Sequence, residues 1–176
     1  LGILFGQGRR GESRTVEVSR KEEVFTFTLS RRPRWVRLDP ESRILKTLDF
    51  PRQEDLLQAQ LKDDPDALGR AEAGRDLVKL GTPGAFRALR RALLKDRFWG
   101  VQAEIAKAHG STKSPHAFRL LKEAVSVRHP KARRAVTEAL GEFRTPEAAR
   151  VLLPILKKDP SYYVEAEAAA ALGKTR

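Results

Sequence analysis

Residues 130–160 read PKARRAVTEALGEFRTPEAARVLLPILKKDP, and this one unit sets the pattern for most of the chain. Pro130 opens an alanine-rich run in which Ala132, Val136 and Ala139 share one helical face, because steps of three and four return to the same side of an α-helix. Leu140-Gly141 closes that run. Thr145-Pro146 then sets an N-cap hydroxyl before a first-turn proline, so a second helix starts there. Its apolar positions are Ala148, Leu152 and Leu156, four residues apart, and Asp159-Pro160 introduces the next unit.

The same beats recur on either side. Leu80-Gly81, His109-Gly110, Leu140-Gly141 and Leu172-Gly173 are spaced by 29, 31 and 32 residues; Thr82-Pro83, Ser114-Pro115 and Thr145-Pro146 by 32 and 31. A third marker precedes each unit as Asp64-Pro65, Asp96-Arg97, His129-Pro130 and Asp159-Pro160. Counted from each Ser/Thr-Pro pair, Ala85, Ala117 and Ala148 coincide, then Leu89, Leu121 and Leu152, then Leu93, Val125 and Leu156. The preceding helices carry Val101, Ile105 and Ala108, then Ala132, Val136 and Ala139, then Val164, Ala168 and Ala171. The first unit carries its stripe one residue out of phase, as Ala73, Leu77 and Leu80. Each closing glycine is expected to supply the left-handed residue that ends a helix. Helix pairs this short cannot bury a face alone, and stacking gives them a continuous core. The chain is therefore read as mostly α, a HEAT-type α-solenoid of antiparallel helix pairs over residues 51–176. A helix at about Gln53–Lys62 with Leu56, Leu57 and Leu61 opens it. The last unit shows only its first helix, so the array is expected either to continue or to end on a lone cap.

Residues 1–50 have a different period. Leu1 to Phe5 reads as the end of a strand and Gln7 to Ser13 as a loop. Thr15–Val18 and Val24–Leu29 alternate apolar and polar side chains with β-branched and aromatic residues, which predicts a hairpin turning at Arg20-Lys21-Glu22. Trp35–Leu38 reads as a further strand, Asp39-Pro40-Glu41 as a turn, and Ile44–Phe50 as a connector. Strands this few cannot close a sandwich, so residues 1–50 are expected to be the trailing strands of a β-sandwich.

Composition narrows the functional classes. The 176 residues contain no cysteine and no methionine, and 35 Lys and Arg against 23 Asp and Glu leave a net charge of +12. Absent cysteine removes disulfides and thiolate metal sites and suits a reducing, cytoplasmic setting. No apolar window is long enough to cross a bilayer, so no membrane partner is expected. A chain that does not begin with methionine reads as a piece of something longer. The basic excess admits nucleic acid as a partner, or simply a solvated arginine-rich surface. Arg87, Arg90 and Arg91, with Lys95 and Arg97, form the best basic patch. Trp99, in Phe98-Trp99-Gly100-Val101, reads either as a partner-binding anchor or as a wedge between repeats. His109, His116 and His129 have no His-Glu-x-x-His spacing, and no phosphate-binding glycine loop is present. No catalytic residue, metal ligand or cofactor site is expected in this segment.

Pro33–Glu41 followed by Ile44-Leu45-Lys46-Thr47-Leu48 resembles a junction in the aminopeptidase N-like zinc metallopeptidase (gluzincin) family, where a β-sandwich strand, an Asp-Pro turn and a Leu-Lys-x-Leu connector lead into a helical C-terminal domain. Leu57–Gly81 and Phe98–Glu104 look like parts of that domain in its HEAT-containing branch. The resemblance covers roughly residues 14–176. It implies a parent zinc aminopeptidase that cleaves N-terminal residues from peptides. This chain would be the non-catalytic region that packs on the catalytic domains and limits access to their cleft. Zinc belongs to the parent alone, since the His-Glu-x-x-His positions do not exist here. A free-standing HEAT scaffold binding another protein and a basic HEAT module binding nucleic acid remain as alternatives.

Overall fold

Three of the helix starts are built from the same three atoms. In the computed structural model, which describes residues 1–175, the hydroxyls of Thr82, Ser114 and Thr145 accept from the backbone N–H groups of Ala85, Ala117 and Ala148, with proline at the first helical position each time. These caps open α3 (Pro83–Lys95), α5 (Pro115–Glu123) and α7 (Pro146–Lys158). The remaining helices are α1 (Glu54–Asp63), α2 (Ala67–Leu80), α4 (Trp99–Thr112), α6 (Pro130–Gly141) and α8 (Tyr162–Gly173), with a single 3-10 turn, Ala124–Ser126, extending α5. Helices α2, α4, α6 and α8 pack successively on one another as one layer. The odd-numbered helices flank that layer and lie against their own partners.

The core is the stripe that the repeat predicts. Ala85, Leu89 and Leu93 of α3, Leu121 of α5, Val136 and Leu140 of α6, and Leu152 of α7 are wholly buried in one continuous cluster. Leu80 departs from the expected stripe of the first unit and is exposed, whereas Leu77 takes the buried place. The reason lies in the glycines. Of these glycines Gly81 alone ends its helix in the left-handed region, at φ 62°, and α4 takes that conformation at Lys113 instead, at φ 51°. Gly110 lies inside α4, where a Cβ would come within 2.9 Å of Ala139, and Gly141 ends α6, where one would come within 2.7 Å of Ala171. These two glycines serve close helix–helix approach and do not terminate the chain direction. Counted from helix starts, Gly110, Gly141 and Gly173 are twelfth, and the twelfth residue of α2 is Val78. The first unit is therefore in phase; its Leu-Gly pair is a true C-cap three residues further on.

Residues 1–50 form one three-stranded antiparallel sheet, ordered β2-β1-β3, from β1 (Gly2–Gln7), β2 (Arg10–Thr15) and β3 (Trp35–Leu38). The hairpin falls at Gly8-Arg9 and not at Arg20–Glu22. Gly8 has φ 65°, and glycine at the first position of a two-residue loop suits the twist of paired strands. Thr15 pairs with Gly2 as the last residue of β2, and Val24–Leu29 is not a strand. Alternation there was not enough, because no neighbouring strand offers it a ladder. Gly6 lies directly beneath the Trp35 ring, which is fully buried and donates through Nε1 to the Gly8 carbonyl at 2.9 Å.

One slot that neighbouring repeats fill with leucine is polar. His109 is the eleventh residue of α4, where α2 and α6 have the buried Leu77 and Leu140. It is 1% exposed, its Nε2 has no partner among the described residues, and burial pushes its pKa from 6.5 down to about 4.

Two predictions follow from this packing. Leu121→Ala should cost about 2–5 kcal/mol in urea unfolding, the usual range for emptying a buried leucine site. Arg119→Ala, on the exposed face of the same helix, should stay within about 0.5 kcal/mol. The second concerns His109, whose folded pKa lies below its unfolded one. The neutral ring therefore contributes stability above pH 6.5, and that contribution is lost as pH falls from 6.5 towards 4. His109→Leu should remove this dependence, so the stability gap between the variant and the parent chain should widen by about 3 kcal/mol between pH 7 and 4.

Candidate interaction surfaces and the buried clamps

Arginine in this chain is divided between buried and exposed roles. Arg70, fourth in α2, is 1% exposed; its Nε and Nη2 donate to the two carboxylate oxygens of Asp96, both at 2.9 Å. Its Nη1 donates to the carbonyls of Asp64 and Pro65. Two units later Arg133, fourth in α6, repeats the arrangement with Asp159 at 2.8 and 2.9 Å and with the carbonyls of Val127 and Arg128. Each guanidinium thus ties the loop before its own helix to the loop of the next unit. Bidentate geometry of this kind is available to arginine and not to lysine. Burial raises the Asp159 carboxyl, but the Arg133 hydrogen bonds and the Ser161 N–H outweigh it and hold the group below the usual carboxylate range.

The sheet joins the helices through a further buried arginine, without the two-point fork. Arg37 of β3 is 2% exposed, donates to Asp66 Oδ2 at 2.7 Å and to the Pro40 carbonyl at 3.1 Å, and lies 3.6 Å from Asp64 Oδ2. Asp64 is wholly buried, and that burial raises its pKa. Gly69 leaves room for the approach, since a Cβ there would fall 2.0 Å from Asp64 and 2.8 Å from Arg37. Next to it, Asp39 is held at a pKa of about 2 by the Lys46 amino group and by the backbone N–H groups of Ile44 and Arg43.

The exposed arginines make the surfaces. Arg87, Arg90 and Arg91 project from α3, a helix with four basic residues and no acidic one. Arg90 donates to Glu123 of α5 at 2.6 Å. Across the stacked layer, Arg75 of α2 pairs with Glu104 of α4 at 3.0 Å and Arg134 of α6 with Glu167 of α8 at 2.9 Å. Arg–Glu pairs thus bridge α2 to α4 and α6 to α8, while the charged side chains of α3 are all basic. Trp99 belongs to a different place, the N-terminal edge of the stacked layer. Its half-buried ring stacks on His129 at 5.3 Å and 15°, leans on Phe98, and carries the Lys131 amino group 4.7 Å from its centroid. Tyr162 and Tyr163, at the same edge of α8, are exposed.

Sequence reasoning singled out Arg87, Arg90, Arg91 and Trp99, and the structure does not gather them into one site. It passed over Arg37, Arg70 and Arg133. The signal for two of these was present: Arg70 and Arg133, and equally Asp96 and Asp159, stand 63 residues apart, two repeat lengths. Among the described residues no group of three or more His, Cys, Asp or Glu side chains is placed to hold a metal ion. No helix there is long and apolar enough to cross a membrane.

No curated protein matches the chain. Among solved structures it is similar to human deoxyhypusine hydroxylase in complex with glycerol, at 25% identity and a TM-score of 0.61 over 69% of this chain. The match spans 43% of that protein, less than half its length. The family model for HEAT repeats matches residues 54–129 and again 88–173, which takes in every helix from α1 to α8. The chain belongs to the HEAT-repeat family.

Proposed function

We propose that this region is a non-catalytic scaffold that works by holding another protein surface. The observation that carries the reading is the disposition of charge. Its buried arginines Arg70 and Arg133 are held by Asp96 and Asp159, and Arg–Glu pairs bridge the stacked helices α2 to α4 and α6 to α8. A surface of alternating, internally paired charge suits a mixed polar protein interface better than a polyanion, which asks for a continuous unpaired basic stripe. In its finer form the partner is the catalytic part of an aminopeptidase N-like zinc metallopeptidase, with this region as its C-terminal portion. The order of a Trp35–Leu38 strand, an Asp39-Pro40 turn and then helices from Glu54 supports that form. Zinc and hydrolysis would reside in that other part. The competing reading, a nucleic-acid module, draws on the basic face of α3.

The purified chain should hydrolyse no aminoacyl chromogenic substrate, with or without added zinc, because catalytic zinc needs three protein ligands and a bound water. It should bind duplex DNA weakly, without sequence preference, and lose it at modest salt as counterions compete. Zinc-dependent turnover would overturn the non-catalytic reading. Submicromolar DNA affinity at physiological salt, abolished in Arg87→Glu/Arg90→Glu/Arg91→Glu, would replace the protein scaffold with the nucleic-acid module.

A further inference from the structure

Between the C-terminal ends of α2 and α4 and the N-terminal ends of α3 and α5 lies a half-open cavity of about 590 Å³. Val78, Pro83 and Phe86 supply apolar wall, and His109, Thr112, Ser114 and His116 the remainder. Phe86 stacks with two imidazoles, its centroid 5.2 Å from His116 and 6.1 Å from His109. The cavity walls are flat, largely apolar and free of carboxylate, ammonium or guanidinium groups, which favours a neutral planar occupant.

The polar inventory is short. Thr112 Oγ1 donates to the His109 carbonyl at 2.8 Å, and Ser114 Oγ accepts from the Ala117 N–H at 3.1 Å. Thr112 thus donates within the α4–α5 turn, where Ser114 Oγ accepts and keeps its own hydrogen. Two imidazoles remain: His116, exposed at the rim, and His109, buried, with an unpartnered Nε2, in a slot that α2 and α6 fill with leucine. An orphaned buried polar group costs stability, and departures from a local packing rule concentrate at functional positions. His109 lines the cavity, so a hydroxyl that displaces the contacts over the ring edge meets a nitrogen with no other partner. A neutral imidazole has one donor and one acceptor nitrogen, and a hydroxyl satisfies either.

The geometry points to a binding site for a small, neutral aromatic alcohol, its ring seated against Phe86 and Pro83 and its hydroxyl paired with His109. The site is independent of the protein-binding surfaces proposed above.

The experiment is an NMR titration of the whole chain at pH 7 with para-cresol and, separately, toluene, which has the same ring and methyl group without the hydroxyl. Para-cresol should shift the Phe86, His109 and His116 resonances saturably, with an affinity about tenfold above that of toluene, the ratio one neutral hydrogen bond provides. His109→Leu, which copies Leu77 and Leu140, should leave the fold intact and bring the two affinities together. Absence of a saturable shift at these residues, or equal affinity of the unmodified chain for both probes, would overturn the assignment. Because that comparison uses the unmodified chain, it holds even if the variant fails to fold.

Discussion

Everything else in this molecule is arranged around the buried arginine clamp. An alanine-rich helix face has little relief, and one alanine stripe slides against another by a turn at small cost in packing. The pairs Gly110 with Ala139 and Gly141 with Ala171 let the backbones approach closely but define direction poorly. Arg70 and Arg133 add what the stripes lack: a planar fork with fixed partners on both sides. Buried ion pairs add little net stability against an apolar replacement, and their best-attested use is registry. The middle unit gives the internal control. There the fourth helical residue is Gln102, and the position of Asp96 and Asp159 is taken by the buried Val127. Donor and acceptor have been exchanged together, leaving no unpaired charge.

That division of labour also shapes what is left for function. Arginines committed to the clamps cannot contact a partner, and those on the stacked layer are tied to glutamates of the next repeat. The flanking helices retain Arg87 and Arg91, and the edge of the layer retains the exposed tyrosines of α8. The sheet is tied on by a buried arginine too, since Arg37 donates to Asp66 and lies 3.6 Å from Asp64, although it lacks the fork that Arg70 makes on Asp96. A scaffold reading needs rigid spacing between repeats, and the clamps provide it.

Much of the fold was legible because it is written in local chemistry. Hydroxyl caps and first-turn prolines at Thr82, Ser114 and Thr145 place helix starts without reference to the rest of the chain, and the four-residue apolar step gives the buried face. The glycines were harder: one residue type serves a left-handed cap at Gly81 and close packing at Gly110, and only the neighbour tells them apart. The β segment was least legible, since Val24–Leu29 has strand composition but no strand beside it. Of the candidate site, exposure of the α3 arginines could be read from the helical period. The Trp99–His129 stack and the His109 cavity could not, because they join residues of different repeats. The clamps carried a sequence signature in their 63-residue spacing, hidden by the unit that replaces them.

The claim that a coupled Arg–Asp pair, and not arginine alone, sets the repeats is tested most directly by a double-mutant cycle at Arg70 and Asp96, followed by urea unfolding at pH 7. Arg70→Gln should cost about 3–5 kcal/mol by leaving a buried carboxylate unpaired. Adding Asp96→Val, which copies the Gln102 and Val127 of the middle unit, should restore most of that loss. A double variant whose destabilisation equals the sum of the two single ones would contradict the account.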